Sequence, residues 1–106
     1  MRIQYNNIWF VVGKSAEDNW KIISNADKDY YWVHADNVPS SHIIIEIDDP
    51  LEDEIKYACQ LCKSQTKQIS NSSVQFIITQ VKNIKLGSKS GEVYFKDKSN
   101  VKQIIV

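Results

Sequence analysis

The 106-residue sequence predicts an α+β domain, a mostly antiparallel sheet with two helices. Three observations lead there. Apolar runs of strand length recur between turn residues. Two segments open with helix-capping signals and continue at helical spacing. Neighbouring strands are joined by short turns, which favours antiparallel pairing.

Arg2–Tyr5 and Ile8–Val12 read as strands about an Asn6-Asn7 turn, and Gly13 ends the run. Ser15 caps a helix over 16–25, with Asp18 three residues on in a capping-box pattern. Ala16, Trp20 and Ile23 follow at i, i+4, i+7 and form its apolar stripe.

Tyr30 to Ile47 reads as a long hairpin turning about Val38. That register sets His34 against His42, Val33 against Ile43, Trp32 against Ile44 and Tyr31 against Ile45. Side chains alternate along a strand, so one face carries Tyr31, Val33, Ile43 and Ile45. The other carries Tyr30, Trp32, His34, His42, Ile44 and Glu46. A one-residue slip would scramble both faces.

Asp49-Pro50-Leu51-Glu52 predicts a second helix start, with Asp49 as N-cap, Pro50 in the first turn and Glu52 closing a capping box. Leu51, Ile55, Ala58, Cys59 and Cys62 share its stripe. Acids 49 and 52–54 sit at the positive end of the helix dipole, Lys63 and Lys67 at the negative end. Val74–Val81 is a further strand with Phe76, Ile78 and Gln80 on one face. Residues 82–91 read as a flexible cationic loop. Residues 92–96 and 101–106 read as a terminal hairpin turning at 97–100.

The composition suits one domain over residues 1–106, and no repeat or low-complexity tract is present. Ile8 to Val12 is the longest uncharged apolar run, too short for a membrane span or a signal core, so a soluble cytoplasmic protein is expected. Two cysteines in a helical context make no disulfide framework. Net charge is zero, yet residues 1–54 hold 4 basic and 11 acidic side chains, and residues 55–106 hold 9 and 2. A basic half suits a polyanion partner, although one helix accounts for six of these charges.

Candidate chemistry gathers at two places. If the second hairpin face is open, Trp32 offers a base-stacking platform, and His34 and His42 offer donors to phosphate or base edges. If a helix covers each sheet face, Trp32 is core instead. The second place is the loop from Lys82 to Gly91, where Lys82, Lys85 and Lys89 alternate with glycines that admit close phosphate approach. Cys59-x-x-Cys62 with the two histidines is a weak zinc signature, because the thiols sit mid-helix on the apolar stripe. Ser41 and His42 are adjacent on a strand and point apart, and no nucleophile elbow or P-loop is present, so no enzymatic activity is expected.

Several blocks resemble the NFACT-R domain, also called DUF814. Gly13-Lys14-Ser15-Ala16-Glu17-Asp18-Asn19 resembles its G-R/K-N-A-x-E-N entry. Trp32-Val33-His34 resembles W-F/V-H, and Pro39-Ser40-Ser41-His42-Ile43-Ile44 resembles P-G-S-H-V-V. Lys85 to Val93 resembles K-P-K-G-A-K-P-G-x-V. The blocks keep the family's order and span nearly the whole chain from Ile8. The departures are Ser15 for Asn, Ser40 for Gly, and Leu86 and Ser90 for prolines.

The resemblance implies an RNA-binding module of ribosome-associated quality control, in proteins that hold tRNA on the large ribosomal subunit. Carried over by position, the contact residues are Lys14, Trp32, His34, Ser41, His42, Lys85 and Lys89, and Lys82 joins them from the loop. The implied partners are tRNA or rRNA and the ribosome, with no cofactor, metal or membrane. Two other readings remain open. One is a protein-interaction module docking on a ribosome-bound partner. The other is a small histidine-dependent enzyme with a deep pocket at the hairpin.

Overall fold

The computed structural model describes residues 1–66, 69 and 73–106. Strands β1 (Arg2–Tyr5) and β2 (Ile8–Val12) pair across Asn6 and Asn7. These asparagines adopt φ of 54° and 62°, the left-handed values that a tight two-residue hairpin requires. Helix α1 (Ala16–Asn25) starts at Ser15, whose hydroxyl accepts from the Asp18 N–H at 3.1 Å. The Asp18 carboxylate reaches one residue further back than the capping-box pattern has it, accepting from the Lys14 N–H at 2.8 Å.

β3 (Tyr31–Ala35) and β4 (Ile43–Ile45) pair as Tyr31↔Ile45, Trp32↔Ile44 and Val33↔Ile43, the predicted register. Pairing stops there, so His42 lies just before β4 rather than within it. Helix α2 runs Glu52–Ser64, with Leu51 at the cap. It therefore starts later than the Asp49-Pro50 signal suggests. The capping-box acid is Glu54, which accepts from the Leu51 N–H at 2.7 Å and is buried. Leu51 itself is exposed and drops off the apolar stripe. At the other end Lys63 donates to the Val106 carbonyl at 3.2 Å. Lys67, expected beside it, lies outside the described residues.

The last third of the chain departs from expectation. β5 (Gln75–Gln80) is the predicted strand, and it pairs with β3. The expected terminal hairpin is absent: β8 (Lys102–Ile105) pairs with β5 at the sheet edge instead. β7 (Val93–Phe95) pairs with β6 (Ile84–Leu86), inside the segment expected to be loop. Ile84 and Leu86 alternate with Lys85, so this ribbon has an apolar underside to bury.

The main sheet has the antiparallel order β1-β2-β4-β3-β5-β8, and β6-β7 forms a separate two-stranded sheet. Both faces of the main sheet are covered. Beneath α2 lie Phe10, Val33, Ile43, Ile45 and Phe76, packed with Ala58, Cys59 and Cys62. On the opposite face Trp32 and Ile44 pack with Ile23 of α1 and with Ile84, Leu86, Val93 and Phe95 of the small ribbon. Burying side chains of this size stabilises the fold by about 1.5–3 kcal/mol each.

Candidate nucleic-acid interface

The ribbon is held against α1 by a hydrogen bond from the Trp20 indole N–H to the Glu92 carbonyl, at 2.9 Å. This brings the loop at Ser90-Gly91 beside the start of α1. The segment Pro39 to His42 arrives between β3 and β4, and the end of α2 closes the far side. Together they line a cavity of about 620 Å³. Its walls carry Gly13 to Ala16, Asn19, His34, Pro39 to His42, Gln65, Thr66, Ser90 and Gly91. Three sequence blocks far apart in the chain thus share one groove.

Backbone contacts hold the walls together. The Gly13 N–H donates to the His42 carbonyl at 3.0 Å. The His42 N–H donates to Asn19 Oδ1 at 3.2 Å, and Asn19 is buried. Across the groove, the Ser41 N–H points to Thr66 Oγ1 at 3.4 Å, and the Ser40 hydroxyl accepts from the Ala35 N–H at 3.2 Å. The Cys62 thiol donates to the Ser41 carbonyl at 3.2 Å.

The expected open stacking face is not there. Trp32 is 0 % exposed and His42 2 %, because α1 and the ribbon cover this side of the sheet. Trp32 is therefore the floor under the groove, as the two-covered-faces alternative has it, and it offers no ring face to a base. Its indole N–H donates to His42 Nδ1 at 3.1 Å. That leaves the His42 proton on Nε2. His34 is half-buried, stacked on Trp32 at 5.6 Å between centroids and edge-on to His42 at 4.6 Å. Burial pushes His42 down to about 3, with His34 adding to the effect. Burial lowers His34 as well, against the opposing pull of the Ala35 and Ser40 carbonyls. Near neutral pH both rings are uncharged, so neither is a phosphate cation.

Lys14 is exposed on the groove wall, and Ser41 is half-buried there. Lys85 and Lys89 are exposed on the ribbon and its loop, outside the groove lining. Lys82 departs from the expected group. It sits at the start of the ribbon, where its ammonium pairs with Asp29 at 3.2 Å, and it lines a different cavity beside Tyr31 and Lys102. Both cysteines are buried, and burial drives the Cys59 thiol up to about 12 and raises Cys62. Among the described residues no group of three metal-capable side chains occurs.

Asn19 and Thr66 belong to the groove without having been marked as contact residues. Asn19 carried a usable signal, as a polar residue one position before Trp20 on the inner side of α1. Thr66 carried none, since its place depends on how the end of α2 docks, whereas Gly91 was expected in a phosphate-approaching loop and lines the groove.

The sequence profile of the NFACT protein RNA binding domain matches residues 2–98. The chain is 27% identical over 99 residues to the Rqc2 homolog RqcH of Bacillus subtilis (strain 168). That match covers 91% of this chain and 17% of the relative, so this chain spans under a fifth of that protein's length. The C-terminal part of the fibronectin/fibrinogen-binding protein from Streptococcus suis has the same fold, with a TM-score of 0.87 at 24% identity, over 99% of this chain and 44% of that one. No helix among the described residues is long and apolar enough to cross a membrane. With nearly its whole length matched by that profile, the chain belongs to the family of NFACT protein RNA-binding domains.

Proposed function

We propose that this chain docks on structured RNA of the translation machinery, tRNA or rRNA, through the groove and the lysines around it. The observation that carries the reading is convergence: the blocks at Gly13–Asn19, Pro39–His42 and Ser90–Gly91 meet in one cavity. The relative's description as an Rqc2 homolog supports a setting in ribosome-associated quality control. Lys14, Lys85 and Lys89 neutralise phosphates at the rim. His34, Ser40 and Ser41 supply neutral hydrogen-bonding groups inside, suited to sugar hydroxyls or base edges. A histidine-dependent activity has less support. Among the described residues no serine hydroxyl is hydrogen-bonded to either imidazole, and burial makes His42 a poor proton acceptor.

A salt titration of tRNA affinity tests the reading. Affinity should fall steeply with salt, and Lys85→Glu with Lys89→Glu should weaken binding and flatten the slope by about 0.7–0.9 per lost contact. Affinity indifferent to salt, or unchanged in the double variant, would contradict it.

A further inference from the structure

Of the ribbon, only the loop at Ser90 and Gly91 lines the groove, and its outer face lies beyond that lining. Ile84, Leu86, Val93 and Phe95 point inward to the core. Alternation therefore turns Lys85, Tyr94 and Lys96 outward. Lys85 lies directly opposite Tyr94 in the register, which sets their Cβ atoms about 5 Å apart. Tyr94 is 55 % exposed, and both lysines are exposed. Among the described residues neither lysine has a carboxylate within ion-pair distance.

The tyrosine is tethered rather than loose. Its hydroxyl donates to Glu92 Oε1 at 3.0 Å, and the same oxygen accepts from the Ser88 N–H at 3.3 Å. Glu92 can lie there because residue 87 is glycine: a Cβ at Gly87 would stand 2.4 Å from that carboxylate oxygen. The bend of the ribbon, the glutamate and the aromatic ring form one braced unit. An exposed ring held in place this way offers a face on which a planar group can stack. Two unpaired ammonium groups beside it select a partner that carries both negative charge and planar rings.

We propose that Tyr94, flanked by Lys85 and Lys96, is a stacking subsite for an unpaired base of the bound RNA. This rests on the RNA-binding reading above and extends it from the groove to the outer face of the ribbon. The phosphates on either side of that base meet the two lysines. A base-paired segment cannot use the subsite, because its bases already stack on one another.

The test compares a fluorescein-labelled oligouridylate with a blunt RNA duplex of equal length, at one fixed salt concentration. Tyr94→Ala should weaken oligouridylate binding by about 5- to 100-fold. Its duplex affinity and its melting midpoint should stay at the wild-type values. Tyr94→Phe should bind like wild type, whereas Tyr94→Leu, which keeps apolar bulk without a ring, should behave like Tyr94→Ala. Wild-type oligouridylate binding by Tyr94→Ala would overturn the subsite, as would equal losses on both RNAs. If Lys85→Glu with Lys89→Glu still weakens both RNAs in that case, the docking reading stands and only the subsite fails. If that charge reversal changes neither, both fail together.

Discussion

The Trp32 indole N–H donates to His42 Nδ1 at 3.1 Å inside the layer between the sheet and α1. Two residues that the sequence marks for contact with RNA are thus bonded to each other, beneath the groove. Their work is to fix its floor. Trp32 anchors the ring of His42, and the His42 backbone ties to Gly13 and Asn19 at the start of α1. The groove keeps its shape through this buried core, and its polar groups come from the loops above.

Stability should fall as pH drops below the ordinary histidine range. His42 titrates at 6.5 when unfolded and is held down at about 3 when folded. Between those values the unfolded chain takes up a proton that the folded chain refuses, so acid favours unfolding. The slope is about 1.4 kcal/mol per pH unit for one such site. His34 is lowered in the same direction and adds to it. Above the unfolded value both states are neutral and the profile is flat. Urea denaturation between about pH 7.5 and pH 5 checks this, and His42→Gln should flatten the profile. A wild-type profile that is level across the range would contradict the buried neutral ring.

Gly13→Ala should disturb the groove through Asn19. An added Cβ would stand 1.8 Å from Asn19 Oδ1, the acceptor of the His42 N–H. Moving that oxygen leaves a buried donor without a partner, at a cost of about 1–3 kcal/mol. The two sites are in contact, so their effects should not add. Chemical denaturation should find Gly13→Ala with Asn19→Ala less destabilised than the sum of the single variants. Simple additivity would count against this wiring.

Asn83→Ala should loosen the ribbon before it loosens the main sheet. Asn83 Nδ2 donates to Thr79 Oγ1 at 3.0 Å and to the Asp97 carbonyl at 2.8 Å, and its Oδ1 accepts from the Asp97 N–H at 2.8 Å. One buried amide thus clamps both ends of β6-β7 to β5. Its loss should cost about 1–3 kcal/mol. Hydrogen exchange should quicken at Val93–Lys96 while β3 and β4 keep their protection. Uniform acceleration throughout would show that the ribbon does not open on its own.

Local chemistry was legible wherever short-range rules decide the outcome. The Asn6-Asn7 turn, the Ser15 cap and the β3-β4 register all follow from residues within one turn or one hairpin. The second helix start was misplaced because Asp49-Pro50 and Leu51-x-x-Glu54 are competing signals, and the buried carboxylate of Glu54 decided between them. The ribbon was missed because glycine, serine and lysine in residues 87–91 mask the short alternation at Ile84–Leu86. Whether Val93–Phe95 pairs forward to β8 or back to β6 is a long-range choice that no local pattern encodes. The same limit applies to the site. Lys14, His34, Ser41 and His42 do meet at one groove, but the exposure of Trp32 depended on what covers the sheet, and Lys82 on the carboxylate that Asp29 brings to it.

Photocrosslinking of tRNA to the whole chain, with the attached residues mapped by mass spectrometry, locates the RNA on the surface of the domain. Attachment should concentrate on Lys14, Ser40, Ser41 and Ser90 at the groove and on Lys85, Lys89 and Tyr94 of the ribbon. Attachment confined to the outer surface of α2 or to the β1 edge, with the groove unlabelled, would contradict docking through the groove.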